Sequence, residues 1–151
     1  MNTKQIQITF VILLLSLFLV PMIYLEHWWG TQTGWPWGFY NVIPNPIHGT
    51  TGFHVIWEMF PAFPPVDPIY YAALIAVIGV FIDTALIIIS IIATSRKWFL
   101  SLTAIINIGF GVTTIIISAA YTVYSGSLIF TPLGILLVAL GGILIYQITR
   151  S

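Results

Sequence analysis

The stretch from Tyr70 to Thr94 constrains this chain most, because it runs for about 25 residues without Lys, Arg, Pro or Glu. A helix needs about 20 apolar residues to cross the roughly 30 Å hydrocarbon core of a bilayer. Asp83, near the middle, is the one charged residue in the stretch. A carboxylate at that depth costs a few kcal/mol to insert, so we expect Asp83 to face protein or enclosed water. The stretch therefore predicts a membrane-spanning helix with one buried acid.

Composition extends this prediction to the whole chain. Hydrophobic residues make up 59% of the 151 residues and charged residues 5%, whereas about a quarter of the residues in soluble domains are charged. We predict a single membrane domain, residues 1–151, with an all-α fold: an integral membrane protein with four transmembrane helices and an aromatic, proline-rich extracytoplasmic loop between helices 1 and 2. The predicted spans are about 6–25, 69–95, 98–121 and 128–147, and the outer loop covers 26–68.

The few charges separate between the two sides of a four-span arrangement. The cations Lys4, Arg96, Lys97 and Arg150 fall on one side, and the acids other than Asp83 fall on the other. Because Lys and Arg concentrate in cytoplasmic segments, both termini are predicted to be cytoplasmic and residues 26–68 to lie outside. The predicted location is therefore a cell membrane, with multi-pass topology.

Residues 26–68 differ in composition from the rest of the chain. They hold all 3 histidines, most of the 6 tryptophans and most of the 9 prolines, and no Lys or Arg. The prolines exclude a long helix and the aromatic residues favour a compact structure, in which Gly52 to Phe60 is expected to form a short surface helix. Aromatic side chains suit the headgroup layer or a contact with a partner subunit. The residues predicted for that interface are Trp28, Trp29, Trp35, Trp37 and Phe39.

Spans two and three are predicted to form a hairpin that turns near residue 96, and polar residues of span three share one helix face at the depth of Asp83. These residues are Asn107, Thr114 and Ser118. One interpretation is that Asp83 is bonded by Asn107 or Thr114 and holds two helices together. The other is a proton or cation site. We favour the first interpretation, because transporters usually need more than one ionisable group within the membrane and Asp83 has no second one beside it.

Two further groups of residues are candidates for metal binding and for helix packing. His54 and Glu58 are four residues apart, and His48 precedes them, so the three side chains together are a candidate site for Zn, Cu or Fe. Hydrogen-bonding histidines in a loop are commoner, and no cofactor is implied. On span four, the glycines Gly134, Gly141 and Gly142 allow close approach of another helix. The absence of cysteine excludes disulfides and thiolate metal sites.

Two resemblances bear on function. The layout of four spans with inside termini, a long aromatic first outer loop and a short second one is similar to that of claudin-type tetraspan proteins, and residues 35–38 (WPWG) loosely resemble the tryptophan motif of their first loop. The two cysteines of that family's first loop are absent here. Residues 51–55 (TGFHV) resemble a short stretch in subunit III of haem-copper oxidases. The first resemblance implies self-assembly and the second a respiratory context.

Few ionisable groups, an aromatic outer segment and a glycine-bearing helix favour assembly over catalysis. We therefore expect a non-catalytic accessory subunit of a larger membrane complex, respiratory or energy-transducing, in a prokaryote, and not an enzyme. The alternatives are a small transporter or proton-conducting module that uses Asp83, and a claudin-like self-assembling tetraspan protein. The expected partners are the lipid bilayer and other membrane subunits or further copies of the chain. Nucleic acid is not expected, because the sequence has no basic patch.

Overall fold

The computed structural model describes residues 3–27, 30–35, 38–44, 51–55, 68–125 and 128–150. In these residues the chain forms four helices and five strands. The helices are α1 (Thr3–Leu19), α2 (Pro68–Ile92), α3 (Lys97–Ser125) and α4 (Pro132–Thr149). The strands are β1 (Ile23–His27), β2 (Gly30–Trp35), β3 (Gly38–Val42), β4 (Gly52–Val55) and β5 (Leu128–Phe130). The four predicted helices are confirmed and most of the described residues are helical, but the segments between α1 and α2 and between α3 and α4 also pair as a small β-sheet, which the all-α prediction did not include.

α1 ends earlier than the predicted span 6–25. A 3.0 Å hydrogen bond from the Val20 amide to the Ser16 carbonyl closes its last turn, and Pro21 follows directly. Proline has no amide hydrogen, and its ring clashes with the carbonyl four residues earlier, so the helix cannot continue through it. The last residues of the predicted span belong to β1 instead.

α4 begins later than the start of the predicted span 128–147, because residues 128–130 form β5. Thr131 is the N-cap of α4, and its hydroxyl accepts a 3.2 Å hydrogen bond from the Gly134 amide. Pro132 follows at the start of the helix, where a missing amide hydrogen costs nothing. A threonine cap followed by proline therefore marks this boundary, which hydropathy alone does not detect because residues 128–130 are also apolar.

The strands form one antiparallel sheet with the order β4-β3-β2-β1-β5. β1 to β4 belong to the segment between α1 and α2, whereas β5 belongs to the connection between α3 and α4. Tyr24 of β1 lies opposite Thr33 of β2 on one side and opposite Phe130 of β5 on the other. The α1–α2 and α3–α4 connections are thus joined in a single sheet.

The predicted surface helix from Gly52 to Phe60 is wrong over its described part, because Gly52–Val55 is β4. This strand pairs with β3, where Gly52 lies opposite Asn41 and Phe53 lies opposite Tyr40. Prolines exclude a long helix, but they also occur beside edge strands and turns, and aromatic and β-branched residues favour strands. The same composition that excluded helices therefore also permits a sheet.

The interior of the bundle is mainly apolar, and its apolar core joins all four helices. Its core includes Phe10 of α1, Ile87 of α2, Leu100 of α3 and Leu137 of α4. The outward faces are apolar as well. Large exposed apolar side chains include Ile8, Ile12 and Leu15 on α1, Phe81, Ile82 and Ile89 on α2, Ile105, Val112 and Ile116 on α3, and Ile135 and Ile143 on α4. Soluble monomers rarely expose apolar surface on this scale.

Two helical stretches among the described residues are long and apolar enough to cross a membrane, judged by length and composition. They are Lys97–Ala120 in α3 and Pro132–Thr149 in α4. α1 and the Ile78–Ile92 part of α2 are shorter apolar helices.

Hydrogen bonds fix the sheet to one end of the bundle. The indole nitrogen of Trp35 donates to the carbonyl of Leu19, the last residue of α1, at 3.1 Å. The amide of Leu133, in the first turn of α4, donates to the Pro21 carbonyl at 3.1 Å. Because both contacts involve helix ends, the sheet lies directly on the bundle and not on a separate linker.

The cations lie at the opposite end of the bundle. The Gln7 side chain near the start of α1 donates to the Ile91 carbonyl near the end of α2 at 3.2 Å. Thr9 donates to the Gln147 side chain near the end of α4 at 3.1 Å. The start of α1 therefore lies beside the ends of α2 and α4. The cations at this end are Lys4, Arg96, Lys97 and Arg150.

Candidate functional site

Asp83 is buried between α2 and α3, with 1% of its surface exposed. The side-chain nitrogen of Asn107, on α3, donates to Asp83 Oδ1 at 2.8 Å. Asp83 lies about nine residues before Ile92, the last residue of α2. At 1.5 Å per residue, this is about 14 Å from the end of the helix. The pair therefore lies near the middle of the bundle and links two neighbouring helices.

The orientation of the Asn107 amide follows from its second contact. Its nitrogen also donates to the backbone carbonyl of Thr103 at 2.9 Å. A carbonyl only accepts hydrogen bonds, so the nitrogen end of the amide must face Thr103. Both hydrogens of the amide are consequently engaged, one by Thr103 and one by Asp83.

A second polar link between α2 and α3 lies closer to the cationic end, by two helical turns on α2 and by one on α3. Ser90 of α2 donates to the hydroxyl of Thr103 at 2.9 Å, and this hydroxyl donates to the Phe99 carbonyl at 3.1 Å. Ser90 and Thr103 are both fully buried. Hydrogen bonds of this kind hold apolar helices together where the hydrophobic effect between them is weak, as it is in lipid.

Two oxygens of the Asp83–Asn107 pair have no hydrogen-bond partner within the described part of the chain. They are Asp83 Oδ2 and Asn107 Oδ1. The hydroxyl of Thr84, the next residue in the sequence, also has no hydrogen-bond partner there. A buried polar atom without a partner costs about 1–3 kcal/mol, and more when it is charged. Both oxygens of the pair are acceptors, so the pair lacks a donor or a positive charge.

Thr114 and Ser118 lie on the buried face of α3, but they do not contact Asp83 through any hydrogen bond that the described residues show. The Thr114 hydroxyl donates to the Gly111 carbonyl of its own helix at 2.8 Å, and it closely approaches Gly134 of α4. The Ser118 carbonyl accepts a 2.9 Å bond from Thr122. The predicted polar face is thus divided between two neighbours, with Asn107 towards α2 and Thr114 towards α4.

The glycines of α4 differ in their surroundings. A Cβ atom added to Gly134 would collide with Thr114, and one added to Gly141 would lie 3.1 Å from the Ala104 carbonyl of α3. Gly142 is exposed, and an added Cβ atom would meet nothing within 4 Å. Gly111 of α3 completes the close contact, because its Cβ position lies 2.6 Å from the Gly134 carbonyl oxygen. Gly111 lies at helical spacing on the same predicted face of α3 as Asn107 and Thr114, and the packing of α3 against α4 shows that it contacts Gly134.

The proposed metal ligands fall largely outside the described residues. His48 and Glu58 lie in undescribed segments, and His54 lies on β4 without a described side chain. Among the described residues, no group of three or more His, Cys, Asp or Glu side chains is placed to hold a metal.

The predicted aromatic interface is described for two residues. Trp35 is half-buried and bonded to Leu19, whereas Phe39 is buried on the other face of the sheet, 9% exposed, opposite Gly34. Trp28, Trp29 and Trp37 lie outside the described residues.

A different set of aromatic residues lies in line across the sheet. Phe53 pairs with Tyr40, Tyr40 with Thr33, Thr33 with Tyr24, and Tyr24 with Phe130. Residues directly opposite each other in antiparallel strands project from the same face. We call these five residues the aromatic row. The two end members, Phe53 at 48% and Phe130 at 49%, are exposed, and so is Tyr40 at 42%.

The sequence did not predict a polar contact that the structure shows near the start of α1. It joins Gln7 and Thr9 of α1 to α2 and α4, as described above. Thr9 is buried, with 6% exposure. The signal in the sequence is a pair of polar residues two positions apart within the first span, but polar residues near a helix end ordinarily face the headgroups.

We compared the chain with protein-family models, with curated proteins and with solved structures, and no match was found. The likeness to claudin-type proteins and to an oxidase subunit therefore remains a resemblance of layout and of a short motif.

Proposed function

We propose that this chain is a non-catalytic structural subunit of a larger membrane complex and that all four of its helices cross the bilayer. The apolar outward faces of α1 to α4 support this proposal, because such faces are stable in lipid and unfavourable in water. The polar links of the interior support it as well, since buried polar side chains commonly join helices within membranes.

The proposed orientation follows from the charges at the two ends. The cationic end, with Lys4, Arg96, Lys97 and Arg150, is cytoplasmic under the positive-inside rule. The sheet is then extracytoplasmic. Its described acidic residue, Glu26, is exposed, which agrees with an outer surface that carries few cations.

The observation that carries the proposed function is the aromatic row. Four aromatic side chains and one threonine extend across all five strands, and three of the aromatic rings are exposed outside the bundle. Exposed apolar patches of this kind mark protein contacts, and Tyr and Phe are enriched in the cores of interfaces. Because the sheet is bonded to the helix ends, a partner that covers the row must lie at the outer membrane surface. The outer part of an adjacent membrane-spanning subunit meets that condition.

A single charge on the row tests this function. Tyr40→Lys places an ammonium within the row, between Phe53 and Thr33. We expect it to reduce co-purification of the partner about tenfold or more, while the thermal midpoint changes by less than about 2 °C. The matched control is Thr149→Lys, which adds the same charge at an exposed position on the cationic end. If Tyr40→Lys and Thr149→Lys co-purify the partner equally well, the row is not the docking surface.

Self-assembly is the second candidate function, and the edges of the sheet favour it. β4 and β5 lie at the two edges of the strand order. Edge strands present backbone donors and acceptors that a strand of a second copy can pair with. In that case the purified protein forms a homo-oligomer without other subunits, which the same co-purification experiment distinguishes from a complex with a different partner.

A further inference from the structure

The Asp83–Asn107 pair contains two acceptor oxygens that its own donors do not serve. The two hydrogens of the Asn107 amide are given to Thr103 and to Asp83 Oδ1. Asp83 Oδ2 and Asn107 Oδ1 are then buried acceptors without a donor. If Asp83 were ionised, the pair would hold a full negative charge and two unsatisfied oxygens in the middle of an apolar bundle, which is among the most costly arrangements a protein core can contain.

One proton satisfies both oxygens. We propose that Asp83 carries a proton on Oδ2 and that this O–H group donates a hydrogen bond to Asn107 Oδ1. The acid and the amide then form a closed pair with two hydrogen bonds. The first bond of this pair is the 2.8 Å contact already present between Asn107 Nδ2 and Asp83 Oδ1. The second requires no further residue, because its donor and acceptor are the two atoms that lack partners. The proton leaves the pair neutral, which removes the cost of burying a charge.

No cation of the neighbouring helices lies close enough to Asp83 to neutralise it in place of the proton. α2 packs against α1 and α3. The charged residue of α1 is Lys4 and that of α3 is Lys97, both exposed at the cationic end of the bundle. The tyrosines of α2 and α3 lie at least 12 residues from Asp83 or Asn107 along their helices, or about 18 Å.

A metal cation fits the same atoms less well. Hard cations take about six or more oxygen ligands. The oxygens without partners on Asp83, on its partner Asn107 and on the next residue of the helix are Asp83 Oδ2, Asn107 Oδ1 and the Thr84 hydroxyl. Those oxygens are too few for a dehydrated ion, whereas a proton needs one donor bond and one acceptor.

Infrared difference spectroscopy of the purified protein tests the proposal directly. The wild-type spectrum minus that of Asp83→Asn, recorded at pH 7, is expected to show the carbonyl band of one protonated carboxylic acid per chain, with a shift to lower frequency in D₂O. Asp83→Asn keeps the shape of the side chain and supplies an amide hydrogen to Asn107, so we expect it to fold with a thermal midpoint close to that of the wild type. Asp83→Glu is the second variant, since it retains an acid and should move the band without abolishing it.

Two outcomes overturn the proposal. One is a wild-type spectrum without the acid band at pH 7, which shows that Asp83 is ionised. The other is a thermal midpoint that rises when choline chloride is replaced by NaCl or KCl at equal ionic strength, with the rise absent in Asp83→Asn, because a metal cation then occupies the site. An acid band together with a midpoint that does not depend on the cation supports the bound proton.

Discussion

Asn107→Leu is expected to lower the free energy of unfolding by about 3 kcal/mol. The substitution removes the described hydrogen-bond partner of Asp83 and leaves both carboxyl oxygens buried without a donor. A buried polar group deprived of its partner costs more than the hydrogen bond itself contributed, because its desolvation is no longer compensated. The effect is measured as the loss of stability in detergent, by thermal unfolding and by denaturation with SDS.

The matched control for Asn107→Leu is the double variant Asp83→Leu with Asn107→Leu. Replacing both partners by apolar side chains of the same branching leaves no unsatisfied polar atom at either position, so most of the lost stability should return. A double-mutant cycle then gives the coupling between the two residues, which we expect to be at least about 1 kcal/mol. If the double variant loses as much stability as the sum of the losses in Asp83→Leu and Asn107→Leu, the two residues are not coupled. The pair then does not hold α2 and α3 together.

Gly111→Ala is the second substitution with a large expected effect. Its methyl group would lie 2.6 Å from the Gly134 carbonyl oxygen and 2.9 Å from Val138. The carbonyl belongs to the backbone and cannot rotate away, so α3 and α4 must separate. Overpacking of this kind costs about 1–3 kcal/mol and occasionally more, and we expect the upper part of that range, measured by the same unfolding experiments.

Gly109→Ala and Gly142→Ala are the controls for Gly111→Ala. Both glycines are exposed on the outer faces of α3 and α4, and an added Cβ atom meets nothing within 4 Å. Alanine has the higher helix propensity, so these variants should be unchanged or more stable by up to about 1 kcal/mol. Equal destabilisation by Gly111→Ala and Gly109→Ala would contradict a close contact between α3 and α4.

The sequence predicts the helices well because their signal is strong and local. Pro68 and the Arg96-Lys97 pair bound the apolar run of α2, and they specify to within a few residues where α2 begins, where it ends and where α3 begins. The helix ends at Pro21 and Thr131 were less well predicted, because hydropathy continues across them into β1 and β5. There the backbone chemistry of proline and of a capping threonine, and not the apolar character, sets the boundary.

The sheet was not predicted because its pairing is not local. β5 contributes only three residues, and it joins β1 from a part of the chain about 100 residues away. Short strands with mixed polar and aromatic residues, such as β2 and β3, show no clear alternation of apolar and polar positions. The aromatic row follows from the register of five strands, which no local pattern in the sequence specifies.

The candidate site was predicted in part, less completely than the helices and better than the sheet. Helical spacing and hairpin depth place Asn107 near Asp83, and the structure has a hydrogen bond between them. The same reasoning grouped Thr114 and Ser118 with them, but a helix face about 100° wide contacts two neighbours in a four-helix bundle. Which polar residue faces which helix depends on the rotation of α3, and that rotation is set by the close packing of Gly111 against Gly134.

The measurement that tests the central proposal most directly is extraction of the native protein in a mild detergent, followed by mass determination of the intact particle and identification of its components. A structural subunit predicts a particle that contains this chain and larger membrane subunits at fixed stoichiometry, and that loses them when Tyr40 is replaced by lysine. A particle that contains only this 16.8 kDa chain, as a monomer, contradicts the proposal. A homo-oligomer contradicts it too and establishes self-assembly instead.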